Sequence, residues 1–173
     1  IQEKGVHVVM KHFALNDCEQ DRIGLGVWLS EQAAREVYLK AFQDVFEEGN
    51  ANGTMVAYTR WGCIWSGGSK PLVTGILREE WGCDGLIITD NVLTTYVNGV
   101  DGVLAGVSTF DAMLPYVTKQ LPDYKNDAVI VNAMREACHR NLYAIANSSG
   151  MNGIGKDTEI KDTGLLVVDV VRT

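Results

Sequence analysis

Three times in this chain a short apolar run stops at a polar, chemically capable cluster. Val6 to Met10 runs into Lys11-His12, Thr54 to Ala57 into Tyr58-Thr59-Arg60, and Leu86 to Ile88 into Thr89-Asp90. Helical periodicity fills the segments between them. Short β-branched runs alternating with helices read as parallel strands buried on both faces, each joined to the next by a crossover helix. In such folds the loops at the carboxyl ends of the strands are free to vary, and chemistry gathers there. The pattern therefore predicts one cleft holding Lys11, His12, Tyr58 and Asp90, with Asp90 at its centre.

The intervening segments carry helix signals. Ser30 is a good N-cap, Glu31 lies in the first turn where the dipole favours an anion, and Gly49 closes the far end. Val37, Leu39, Phe42, Val45 and Phe46 form an apolar stripe predicted to pack on the sheet. Pro71 opens a second helix that runs through Arg78 and Glu79 to Trp81-Gly82, and Asp84-Gly85 is a turn signal before the strand at Leu86. Gly102 to Ala105 reads as a short fourth strand. Asn126 to Asn147 reads as a long helix with Val129, Ala133, Ala137, Cys138, Leu142 and Ile145 along one side.

Ser148 to Gly155 is rich in Ser, Gly and Asn, which marks a domain edge between residues 1–150 and a tail of 151–173. Within the tail, Gly164 to Val171 is a β-type run, either an added edge strand or the stub of a following segment. About four strand–helix units are half of an eight-stranded barrel, and such barrels have roughly 250 residues and seldom fewer than about 200. At 173 residues the chain is too short for a complete one. The expected fold is α/β, half of a (β/α)8 TIM-type barrel.

Composition excludes rather than identifies. Apolar residues at 46% suit a globular core, and a net charge of -7 argues against a nucleic-acid partner, which needs a basic surface. Cys18, Cys63, Cys83 and Cys138 are too widely spaced for a zinc or redox motif and read as reduced packing residues. No metal or cofactor is expected. The longest apolar stretch falls far short of the roughly 20 residues that span a bilayer.

Read singly, the polar residues stay ambiguous: Asp90 suits a turn or cap as well as a nucleophile, and His12 and Tyr58 suit satisfied core positions. Order along the chain separates these readings. Lys11-His12-Phe13-Ala14-Leu15-Asn16, then Ser30-Glu31-Gln32 with Arg35-Glu36, then Met55 through Tyr58 and Arg60 to Trp65 follow one another. Leu77-Arg78-Glu79-Glu80-Trp81-Gly82 then leads to Gly85-Leu86-Ile87-Ile88-Thr89-Asp90. This series resembles glycoside hydrolase family 3, and the resemblance covers most of residues 5 to 150. It implies retaining β-glycosidase chemistry on a (β/α)8-type barrel accompanied by an α/β sandwich domain, with this chain as the C-terminal half of the barrel.

Carried over by position, Asp90 matches the catalytic nucleophile, and Lys11 and His12 match the pair that hydrogen-bonds sugar hydroxyls. Tyr58 matches the tyrosine beside the nucleophile, and Met55 an apolar contact with the sugar. Arg60 reads as the partner of a strand-end carboxylate and stays outside the site.

Four positions depart from the pattern. Asn91 stands where many members carry Trp, Thr59-Arg60-Trp61 replaces Asn-Arg-Ile, and Ser108 stands where many carry Asp. Phe13-Ala14-Leu15-Asn16 lacks the Pro-Gly-His run of the N-acetylglucosaminidase branch, which points to the glucosidase-like branch. The family's acid/base is a Glu of the sandwich domain, and Glu79 and Glu80 are predicted on a helix away from the strand ends.

The expectation is part of a retaining β-glycosidase that cleaves terminal β-linked sugars through a glycosyl-Asp90 intermediate and is inactive alone. The alternative is a non-catalytic carbohydrate-binding or structural fragment of the same fold. The expected partners are an oligosaccharide or β-glycoside and, across the open barrel edges, the missing half or a second copy of the chain.

Overall fold

The computed structural model describes residues 1–159 apart from Leu93, Thr94, Leu114, Pro115, Asn152 and Ile154. The β-type run Gly164 to Val171 lies outside the described residues. Strand β1 (Met10–Phe13) is followed by β2 (Gly26–Val27) and by α1 (Glu31–Ala33), which leads through a π-helical turn, Ala34–Tyr38, into α2 (Lys40–Glu47). Next come β3 (Gly53–Val56), β4 (Arg60–Trp61), β5 (Ile64–Trp65), a π-helix over Pro71–Glu80, and β6 (Leu86–Thr89). Helices α3 (Gly99–Ala105), α4 (Tyr116–Lys119) and α5 (Ala128–Ala146) complete the series.

The main sheet has the order β1-β3-β6, all parallel, and Thr109 bridges Ile88 on the far side of β6. Strands of this sheet therefore follow one another in chain order, with a helical crossover at each step, while β2, β4 and β5 form a separate small sheet. A doubly wound sheet would reverse direction at a switch point. Here the order advances one way, as in an unclosed part of a barrel.

Register assigns the two faces. Thr54 and Val56 pair with Ile87 and Thr89, and these four are fully buried under the helices. Met55 pairs with both Lys11 and Ile88, so these three share the opposite face, where Met55 and Ile88 are half-buried and Lys11 is exposed. His12 is an extra residue in β1, between Lys11 opposite Met55 and Phe13 opposite Val56. A bulge of this kind re-aims side chains at a strand end.

Beneath the sheet, Phe13 meets Phe42 edge-on at 5.2 Å and Trp81 at 6.0 Å, and Phe46 stacks on Trp81 at 6.2 Å. These four rings tie α2 and the end of the Pro71–Glu80 helix to β1. Polar staples close the far side. Arg78 donates to the carbonyls of Cys83, Gly85 and Gly106, and Ser108 Oγ both accepts from the Ile87 N–H and donates to the Ile87 carbonyl. Asn141 of α5 donates to the Ser108 carbonyl and accepts from the Thr109 hydroxyl.

Several expectations need correction. The first strand begins at Met10 and includes Lys11-His12, instead of running Val6 to Met10 and stopping before them. Gly102 to Ala105 belongs to α3: Asn98 accepts from the Val100 and Asp101 N–H groups, and Gly106 closes the helix at φ 109°. The residues that run alongside β6 are those around Thr109 instead. Val37 is exposed because the π-turn, closed by the Leu39 N–H on the Ala34 carbonyl, inserts a residue and rotates the stripe. Along α5 the fully buried side chains are Ile130 and Ala144, while Val129, Leu142 and Ile145 are exposed. Of the cysteines Cys83 is buried, whereas Cys18, Cys63 and Cys138 are exposed and free.

Phe13→Ala removes a fully buried ring that contacts two others, and it is expected to cost about 3–5 kcal/mol of unfolding free energy. Denaturant unfolding measures this, and a loss below about 1 kcal/mol would mean that the ring cluster does not organise the core.

Candidate active site

The ends of β1, β3 and β6 bring His12 and Tyr58 to Asp90. Two backbone bonds set their heights: Ala57 N–H to the Phe13 carbonyl (2.6 Å) and Asp90 N–H to the Val56 carbonyl (3.2 Å). Each carries the ladder one residue beyond its strand. His12 Nε2 lies 3.3 Å from Asp90 Oδ2. The Tyr58 hydroxyl donates to the Asn91 carbonyl at 2.7 Å, which anchors the turn that follows Asp90.

The two oxygens of Asp90 are not equivalent. Oδ1 accepts the Asn91 N–H at 2.8 Å. Oδ2 is buried and has no aligned hydrogen bond, although His12 and Arg22 approach it within ion-pair distance. One oxygen is thus tied to its own backbone while the other faces His12 and Arg22.

Arg22, which the sequence reading passed over, is the cation of the site. Its Nη1 lies 3.6 Å from Asp90 Oδ2, and its guanidinium carbon sits 4.5 Å over the Tyr58 ring. Glu19 holds it from the other side at 3.3 Å. A signal was present: Arg22 is the one cation between Lys11 and Arg35, at the end of a polar loop that leaves a strand end. The backbone delivers it, because that loop is pinned by Gly24 N–H on the Tyr58 carbonyl and by Arg60 N–H on the Leu25 carbonyl.

Burial is the main influence that lowers the pKa of His12, helped by Lys11 and Arg22, while the charge of Asp90 pulls the other way. Near neutral pH the imidazole is mostly uncharged, so its contact with Asp90 is that of a neutral polar group. The Tyr58 phenol is raised by burial first and by Asp90 next, so it remains a proton-bearing donor.

Met55 lies on the same face as Lys11 and is half-buried. Lys11 is exposed at the strand end and makes no ion pair with Asp90 among the described residues. Arg60 binds carbonyls, of Cys63 at 3.1 Å and of Tyr96 at 3.4 Å, in place of the expected carboxylate. Glu80 is held on the helix side by Arg35 at 2.7 and 3.0 Å. Among the described residues no three His, Cys, Asp or Glu side chains are grouped to hold a metal ion.

With this geometry in place, comparison with known proteins is decisive on family. The sequence profile described as the Glycosyl hydrolase family 3 N terminal domain matches residues 1–112. The chain belongs to glycoside hydrolase family 3. A protein of Emericella nidulans named "Probable beta-glucosidase I" is 33% identical over 165 residues, covering 93% of this chain and 19% of that protein. "Beta-glucosidase A" of Butyrivibrio fibrisolvens is 40% identical over 90 residues, covering 52% of this chain and 11% of that protein. The Bifidobacterium adolescentis GH3 β-glucosidase structure superposes with a TM-score of 0.77 at 26% identity, covering 92% of this chain and 23% of that one. Thermotoga neapolitana β-glucosidase 3B shares the fold at a TM-score of 0.79 and 23% identity, over 87% of this chain and 22% of that one. This family 3 chain thus spans about a fifth of the length of these relatives or less.

His12 is expected to titrate below the ordinary value of 6.5, and Asp90→Asn should lower it further by removing the charge that opposes burial. NMR titration of the imidazole checks both. The linked stability follows the same sign: the His12 contribution is complete above pH 6.5 and is lost as pH falls from there through the lowered folded value. An Asp90→Asn shift in the upward direction would contradict the assigned electrostatics.

Proposed function

We propose that this chain supplies the nucleophile side of a retaining β-glycosidase site, with Asp90 as nucleophile and Lys11, His12, Met55 and Tyr58 contacting the sugar. The observation that carries this reading is Asp90 Oδ2, buried within ion-pair distance of Arg22 and His12 but without an aligned hydrogen bond, at the carboxyl end of a parallel strand. The family membership and the names of the relatives support it.

In the proposed reaction, Oδ2 attacks the anomeric carbon and forms a C–O bond as the bond to the leaving oxygen breaks. An acid group protonates that oxygen. Its conjugate base then takes a proton from water, whose oxygen displaces Asp90 and restores the carboxylate. Arg22 is proposed to balance the carboxylate charge before attack and after release. Tyr58, anchored on the Asn91 carbonyl, holds the turn that positions Asp90. Lys11 and neutral His12 offer hydrogen bonds to sugar hydroxyls.

We place the acid/base outside this chain. Glu19 is engaged by Arg22 and by Asn16, and Glu80 by Arg35, and a retaining pair must stand roughly 5 Å apart. The placement as the C-terminal half of the barrel belongs to the same proposal. β1 lies at the edge of the described sheet, and the face bearing Lys11, Met55 and Ile88 is incompletely covered. The remainder of the barrel, or a second copy, would pair there. Native mass spectrometry should then find this chain in a complex, and a stable monomer at high concentration would speak against that assembly.

Asp90→Ala in the complete protein should reduce turnover by several orders of magnitude, and a slow-deglycosylating fluorosugar should leave a covalent adduct on Asp90 detectable by mass spectrometry. Near-normal turnover in the variant would overturn the nucleophile assignment. Sugar binding with no adduct and no turnover would favour the non-catalytic reading.

A further inference from the structure

Asn91 Oδ1, one residue after Asp90, and the Tyr96 hydroxyl are buried and have no hydrogen-bond partner among the described residues. Buried polar groups in native proteins are paired as a rule. Asn91, next to the candidate nucleophile, and Tyr96, packed on Tyr58, thus each present hydrogen-bonding capacity that no described residue uses.

Tyr96 is held rigidly for such a task. Its ring stands edge-on to Tyr58 at 4.8 Å and to Trp65 at 6.1 Å, and Trp65 is fixed by its Nε1–H on the Ala57 carbonyl at 2.9 Å. The Tyr96 backbone carbonyl accepts from Arg60. The ring therefore has little rotamer freedom to lose when its hydroxyl is engaged. Burial drives the phenol far above the tyrosine range, with the charges of Tyr58 and Asp90 adding, so the hydroxyl always keeps its proton.

These properties define the ligand. A neutral phenol offers one donor and one acceptor, and an amide oxygen offers acceptance alone. Asp90 and Arg22, the two full charges that act on Tyr96, oppose each other, so neither an anion nor a cation is favoured there. A neutral polyol, whose hydroxyls both donate and accept, suits Asn91 Oδ1 and the Tyr96 hydroxyl alike.

We propose that Asn91 and Tyr96 form a hydroxyl-reading element for the sugar bound over Asp90, and that Tyr96 is a specificity-determining residue of this site. The inference rests on the glycosidase reading. Isothermal calorimetry of the complete protein with D-glucose and its monodeoxy analogues tests it. Tyr96→Phe keeps the ring contacts and removes the hydroxyl alone, and it should weaken glucose binding about tenfold, the scale of one hydrogen bond. One deoxy analogue, lacking the hydroxyl that Tyr96 reads, should bind wild type and Tyr96→Phe equally.

Tyr116 supplies the control. Its hydroxyl is likewise buried and unpaired, and it lies near enough to act on the Tyr96 phenol, yet the charge of Asp90 is not among the influences on it. Tyr116→Phe should bind every sugar as wild type does. Unchanged glucose affinity in Tyr96→Phe, an equal loss for every analogue, or the same loss in Tyr116→Phe would overturn the assignment while leaving the glycosidase reading intact. Failure of the wild-type protein to bind any of these sugars would instead overturn that underlying reading and this inference with it.

Discussion

The β1-β3-β6 ladder is the constraint on which the site depends. Ala57 N–H on the Phe13 carbonyl and Asp90 N–H on the Val56 carbonyl carry parallel pairing one residue past each strand. Those bonds fix the heights of three strand ends relative to one another. His12, Tyr58 and Asp90 come from distant parts of the chain, and backbone pairing, more than any contact between their side chains, brings them to one level. A slip of one residue in β6 would move Asp90 to the buried face, because strand side chains alternate.

The layer behind the sheet keeps that register. Phe13, Phe42, Phe46 and Trp81 pack as a ring cluster between β1 and two helices. Ser108, Asn141 and Arg78 serve carbonyls at the end of the sheet that β6 and the Thr109 segment form. The helix-side residues Thr54, Val56, Ile87 and Thr89 are buried, whereas the opposite face is only partly covered. Lys11 and Met55 sit there in register, and the bulge at His12 turns an additional polar side chain toward Asp90.

Much of this was legible because local signals and long-range structure agreed. Thr54 to Ala57 and the strand at Leu86 fall where apolar runs placed them, and Ser30 caps its helix by accepting the Ala33 N–H. The misses have physical reasons. Gly102 to Ala105 has β-like composition, but Asn98 and Gly106 bracket it with helix caps, and capping prevailed over a four-residue propensity. Val37 lost its place on the apolar stripe because a π-turn breaks the 3.6-residue period that the reading assumed. Ser108, noted as a departure from the family pattern, bonds Ile87 through both of its hydrogen-bonding roles, a use that spacing along the chain does not reveal.

By itself the sequence determined the alternation of strands and helices, the strand ends that carry Lys11, His12, Tyr58 and Asp90, and the family. These depend on residue type and local period, which a linear reading preserves. The tertiary structure alone decided that Arg22 and His12 reach Asp90 Oδ2, that Oδ1 is tied to the Asn91 N–H, and that Tyr96 packs against Tyr58. Those facts depend on where loops fold back across the strand ends. Loop paths are set by a few backbone bonds, such as Gly24 to Tyr58, between residues far apart in sequence, and side-chain chemistry does not encode them.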